Sequence, residues 1–127
     1  MSSELKMKTN VCDLSYLRSH ARHSPLFMAD VIGIFLDVTP GYLTEMKRCI
    51  SVNDWTGLQG QVHRIRASIT YLGFPKTIIS AVAEIDEYAA KQEHLELIPG
   101  LLLQVEQILN AAFHELGRDK EPNVLQP

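Results

Sequence analysis

DWTGLQGQVHRIRASITYLG, residues Asp54 to Gly73, carries apolar side chains at Trp55, Leu58, Val62, Ile65, Ile69 and Leu72. Their alternating spacing of three and four is the seam of an amphipathic helix packed in a bundle. At about 100° per residue, His63 lies about 130° from the centre of that seam, so its imidazole is expected to point outward. Thr56, Gln59, Gly60, Arg66, Ala67 and Thr70 share the outward stripe. One histidine therefore stands among small or polar neighbours, with one cation a turn away.

The chemistry open to such a face follows from its parts. A neutral imidazole nitrogen is a competent nucleophile near neutral pH and can hold a phosphoryl group as a covalent intermediate. Arg66, three residues on, falls on the same side of the helix, where a guanidinium can neutralise phosphoryl oxygens. Gly60 and Ala67 flank the imidazole with almost no side chain. A donor that brings its own bulky active site needs that clearance. Gly57 and Gly60 each weaken the helix by roughly 1 kcal/mol relative to Ala; Gly60 fits partner approach, and Gly57, on another side, fits packing against a neighbouring helix.

The run HRIRASITYLG resembles the signature of histidine-containing phosphotransfer domains: His, two residues, Lys, Gly, a small polar pair, and a Gly ten positions after the His. His63, Ser68 and Gly73 match it directly and Leu72 matches the apolar residue before the last Gly, while Arg66 stands for the usual Lys and Ala67 for the usual Gly. Arg keeps the charge but replaces a compact ammonium with a planar fork. Ala adds one methyl beside the imidazole and favours the helix by roughly 0.8–1 kcal/mol over Gly. Upstream, SPLFMADVIGIFLDVTPGYLTEMKRCISVNDW is similar to the long second helix of such domains, with its Thr-Pro interruption and Asn-Asp-Trp entry. The resemblance covers roughly Val11 to Arg118.

The resemblance implies an all-α fold, an antiparallel four-helix bundle with a short additional N-terminal helix. It also implies a stand-alone carrier that relays a phosphoryl group between receiver-domain aspartates in a two-component phosphorelay, and that is no autonomous kinase. His63 would be the phosphoacceptor and Arg66 would stabilise the phosphoryl group, with Gln59, Gly60, Ala67 and Thr70 meeting the partner. The partners would be the receiver domains of a response regulator and of a hybrid sensor histidine kinase. No metal and no cofactor is expected in this chain. The alternative is a non-catalytic helical adaptor or inhibitor that grips a receiver domain or sensor kinase with the same face; a further one is a module that homodimerises through an exposed helix stripe.

Length and composition agree with one small domain. The chain has 127 residues, 46% of them hydrophobic, with seven Gly and six Pro, which allows a single core of ordinary size. A net charge of −3 with scattered Lys and Arg argues against nucleic acid as partner. No uninterrupted apolar run approaches ~18 residues and MSSELKMKTN lacks a signal-peptide core, so a cytoplasmic monomer away from membranes is expected. Cys12 and Cys49 are far apart and outside any ligand pattern, which favours buried thiols over a disulfide. His20 and His23 near Cys12 lack a fourth ligand for a metal.

Along the chain, residues 1–11 read as a flexible leader, 12–118 as the phosphotransfer domain and 119–127 as a flexible tail. Asp13 can cap a short helix from Leu14 to about His20. Ser24-Pro25 opens a long helix with Phe27, Val31, Ile34, Phe35 and Val38 inward, continued by Tyr42 or Leu43, Met46 and Ile50 beyond a kink or split at Pro40. Gly73 stops the histidine helix. Ile78, Ile79, Val82, Ile85 and Tyr88 or Ala89 then define a helix to about Lys91, and Ile98 to Leu116 supply the seam of the last one, with Pro99 tolerated in its first turn.

Overall fold

Side-chain hydrogen bonds sit at the starts of the first three helices. The Asp13 carboxylate accepts the amide and hydroxyl of Ser15 at the start of α1, Ser15–His20. Ser24 accepts the amide of Phe27 at 3.3 Å ahead of α2, Pro25–Ser51, with Pro25 at the first helical position. Asp54 accepts the amide of Gly57 at 2.9 Å and opens α3, Trp55–Tyr71. α4, Lys76–Lys91, ends on Gln92 in the left-handed conformation. A 3-10 turn at Leu95–Leu97 then leads into α5, Ile98–Leu125, where Pro99 falls in the first turn. The computed structural model describes residues 11–22 and 24–125, so of the expected leader only Val11 falls within it, and His23 and the last two residues of the tail lie outside.

Among the described residues the fold is all-helical with no strand. α2 packs on α3, α3 on α4, α4 on α5, and α5 back on α2. The shared interior takes the expected seam of α3: Leu58, Val62, Ile65 and Ile69 are fully buried and Trp55 is half-buried. Ile78, Val82 and Ile85 of α4 and Ile98, Val105, Leu109 and Leu116 of α5 complete it with no exposed surface. Phe35 stands 5.7 Å, centre to centre, from both Phe74 and Phe113, tying α2 to the α3–α4 joint and to α5.

Of the two outcomes expected at Pro40, the split is absent: α2 runs as one helix through it, with Thr44 donating its hydroxyl to the Pro40 carbonyl at 3.1 Å. Its inward face differs in part from the sequence reading. Phe27, Ile34 and Val38, expected inward, are exposed, Ile34 to 61%; Phe35, Leu43 and Met46 are buried as expected, joined by Ile32, Thr39 and Cys49. The first half of α2 is apolar on two adjacent sides, and a shift of one residue, about 100°, exchanges them. By length and composition α2 is also apolar enough to cross a membrane, with a mean hydropathy of 1.5 over its most apolar window, because scattered polar residues lower an average less than they break a run. In the fold its inward face belongs to the core.

The last helix continues past the end of its apolar seam at Leu116 to Leu125, through Gly117 and Pro122 and beyond the boundary expected near 119. Gly and Pro weaken a helix by about 1 and about 3 kcal/mol without forbidding it. Gly73 adopts a φ of +70°, and a Cβ there would overlap the Asp13 carbonyl oxygen. The Asp13 amide donates to the Gly73 carbonyl at 2.8 Å, which fastens the segment before α1 onto the α3–α4 joint. At Gly57 an added methyl would collide with the capping Asp54 carboxylate and meet Cys49 Sγ of α2 at 3.0 Å, so this glycine serves helix packing. Cys12 and Cys49 are buried thiols. Burial, with the Glu115 charge second, pushes the Cys12 thiol up to about 12.

Candidate functional site

Because the α3 seam is inserted in the core, the opposite stripe of that helix is held rigidly in solvent. His63 sits there with 62% of its side chain exposed, and Arg66 with 44%. Ala67 and Thr70 are exposed; Gln59 and Gly60 are half-buried. A Cβ added at Gly60 would meet only the Arg64 guanidinium, at 3.7 Å, so the surface one turn before His63 is open. The six residues singled out from sequence thus lie along one side of one helix.

Asp86 of α4 gathers three of them. One of its oxygens, Oδ1, accepts from Gln59 Nε2 at 3.1 Å, while Oδ2 lies 3.4 Å from His63 Nε2 and 3.5 Å from an Arg66 Nη. The carboxylate is only 21% exposed. Its three partners rise one turn at a time along α3, so the side chain is braced from several directions. The imidazole and guanidinium contacts are long and mainly coulombic, and the Gln59 bond is of ordinary length.

Sequence reasoning passed over Asp86, which reads as one more polar residue between Ile85 and Glu87. A signal was present. His63 lies eleven residues before Phe74 and Asp86 eleven after Pro75, so a hairpin folded at Phe74-Pro75 brings the two level. Tyr16 and Tyr71 were passed over as well. With His63, Arg66, Ala67 and Thr70 they line an open depression of about 600 Å³. The Tyr16 and Tyr71 rings meet edge to face at 5.5 Å, and His20 stacks on Tyr16 at 5.7 Å, so α1 supplies an aromatic wall to the histidine face. Nothing in the spacing of α1 announced this, because the position of a six-residue helix is set by the joint it covers. A smaller hollow of about 150 Å³ continues across Tyr71 to the exposed Ile34 and Val38 of α2.

Among the described residues no three His, Cys, Asp or Glu side chains converge in a way that can hold a metal ion. The arrangement offers one exposed nucleophile, one adjacent guanidinium, one braced carboxylate and an apolar margin. No family model matches the sequence, and no curated protein or solved structure matches it either.

Proposed function

We propose that this chain is a histidine phosphotransfer protein, an antiparallel four-helix bundle of α2 to α5 with α1 as its additional N-terminal helix. The closed order in which the long helices pack, and their short connections, support that architecture. The observation that carries the functional reading is His63: it is exposed at the head of the signature-like run, one turn from Arg66 and flanked by Gly60 and Ala67.

In the proposed reaction an imidazole nitrogen of His63 attacks the phosphorus of a receiver's aspartyl phosphate in line. The N–P bond forms as the acyl-phosphate P–O bond breaks, and its electron pair leaves with the receiver's carboxylate. A second receiver's aspartate reverses the step. Arg66 turns from Asp86 towards the phosphoryl oxygens and offsets their charge. The depression beside His63 gives a receiver's loops room to approach, and a cytoplasmic monomer serving the receivers of a hybrid sensor kinase and a response regulator fits this role.

A second reading, an adaptor that holds a receiver or kinase without chemistry, draws on the Asp86 carboxylate beside the imidazole, since like charge opposes an incoming phosphoryl group. One experiment separates the two. Receivers labelled with radioactive phosphate on aspartate, or phosphoramidate as a small donor, should leave acid-labile label on the wild-type chain and none on His63→Gln. Receiver binding without any transfer of label would establish the adaptor, and label retained by His63→Gln would move the acceptor to another histidine.

A further inference from the structure

Arg64 follows His63 directly, and its side chain runs back along α3. One of its guanidinium nitrogens comes within 3.7 Å of the point where a Cβ on Gly60 would stand, one turn towards the start of the helix. That path follows from helix geometry, because each Cα–Cβ bond tilts towards the N-terminus and a side chain covers the turn before its own residue. His63 obeys the same rule. Imidazole and guanidinium therefore both project over the Gln59–Gly60 turn. Gly60 falls between them, about 60° round the helix from His63 and about 40° from Arg64.

Arg64 and Arg66 differ in what already holds them. An Arg66 Nη lies 3.5 Å from Asp86, so part of that charge is met within the fold. Arg64 is exposed and, among the described residues, has no carboxylate within ion-pair distance. Its fork of donors is left for an incoming anion. Gly60 points the same way. Glycine weakens a helix interior relative to Ala, and nothing in the bundle requires one at this position, since a Cβ would meet only the Arg64 guanidinium, at ordinary contact distance. At Gly57, by contrast, the Asp54 cap and Cys49 leave no room for a side chain. The space at Gly60 opens outward, with the nucleophile on one side and an uncommitted cation on the other.

Resting on the proposed phosphotransfer role, we infer that Arg64 is a second guanidinium that holds the phosphoryl oxygens during transfer to His63, in the slot that Gly60 leaves open. In that step an imidazole nitrogen forms the N–P bond, and the acyl-phosphate P–O bond breaks with its electron pair leaving on the receiver's aspartate. The ring keeps the proton on its other nitrogen and gains one positive charge. The phosphoryl oxygens keep their negative charge, and Arg64 meets them with charge-assisted hydrogen bonds. Arg66 reaches the same group from the other side of the imidazole, about 60° round the helix in the opposite sense, after leaving Asp86. Arg64 has no such partner to give up.

The full chain and two donors, phosphoramidate and a phosphorylated receiver, provide the test. Arg64→Ala should lower the initial rate of His63 phosphorylation by about tenfold with both, the scale of one hydrogen bond between charged groups at an exposed site. Arg64→Lys should recover part of that rate. Gly60→Leu, which fills the slot, should slow phosphoramidate to a similar degree, and the double variant with Arg64→Ala should be no slower than the slower single one. Amide spectra should show the fold retained in each. In the ¹⁵N-labelled wild type, which needs no substitution, the Arg64 guanidinium resonances should shift when His63 is phosphorylated. A loss confined to the receiver would make Arg64 a docking contact and overturn the inference. So would a wild-type rate in Arg64→Ala, additive losses in the double variant, or unmoved Arg64 resonances, and in each case the relay would stand. If neither donor labels the wild-type chain, the inference falls together with the function on which it rests.

Discussion

One methyl group at Gly73 tests how firmly the segment before α1 is fastened to the rest. The φ of +70° disfavours any L side chain, and a Cβ there has nowhere to go but into the Asp13 carbonyl. Gly73→Ala should lower stability by about 2 kcal/mol or more in urea unfolding; a loss within about 0.5 kcal/mol would mean that Asp13 moves aside freely. Cys12 makes a residue-scale prediction of a different kind. Its thiol is pushed up from 9.0 to about 12, so between those values the folded chain keeps a proton that the unfolded chain has released. Stability should fall as pH rises through that window, and Cys12→Ser should flatten this part of the pH profile. An equal slope in both proteins would assign the alkaline loss to other groups. At this scale the outward placement of His63 and Arg66, the stop at Gly73 and the cap at Ser24 were legible, since each depends on neighbours a few positions away. Asp86 was not, because its meaning depends on a residue of another helix.

Within α2, Pro40 occupies an exposed position inside a continuous helix and leaves the Leu36 carbonyl without its usual amide donor. Pro40→Ala should raise stability by about 1–2 kcal/mol, less than the full propensity difference because proline also restricts the unfolded chain. A midpoint of denaturation that stays the same or drops would show that the proline fits a bend the packing requires. The same helix shows where sequence periodicity stops being informative. Leu58, Val62, Ile65 and Ile69 have polar residues around them, so the buried side of α3 is the only apolar one. In α2, Phe27, Ile34 and Val38 compete with Ile32 and Phe35, and the inward side is chosen by α3 and α5, not by the helix itself. Thr39 shows the cost of reading by hydropathy: fully buried between apolar turns, it is a core residue that no apolar stripe would include.

For the molecule as a whole, the histidine face, the Tyr16 and Tyr71 wall and the exposed Ile34 and Val38 form one neighbourhood drawn from three helices. Ala67→Trp puts a large ring into the depression without touching the core, so the fold should persist while receiver affinity and transfer both fall by about tenfold or more. Phosphoramidate, which needs far less room, should still phosphorylate the variant. Receiver affinity equal to wild type by calorimetry would place docking elsewhere. The face was legible from sequence along α3 alone; its breadth was hidden because α1 and α2 reach it only through tertiary packing. The chain also carries its own optical gauge. Trp55, the single tryptophan, sits half-buried in the first turn of α3, roughly 12 Å along the axis from His63 and over 20 Å from Thr70. Its emission should shift when the helices come apart yet stay quiet when something settles at the far end, so an unlabelled sample can tell a variant that has lost its partner from one that has lost its fold.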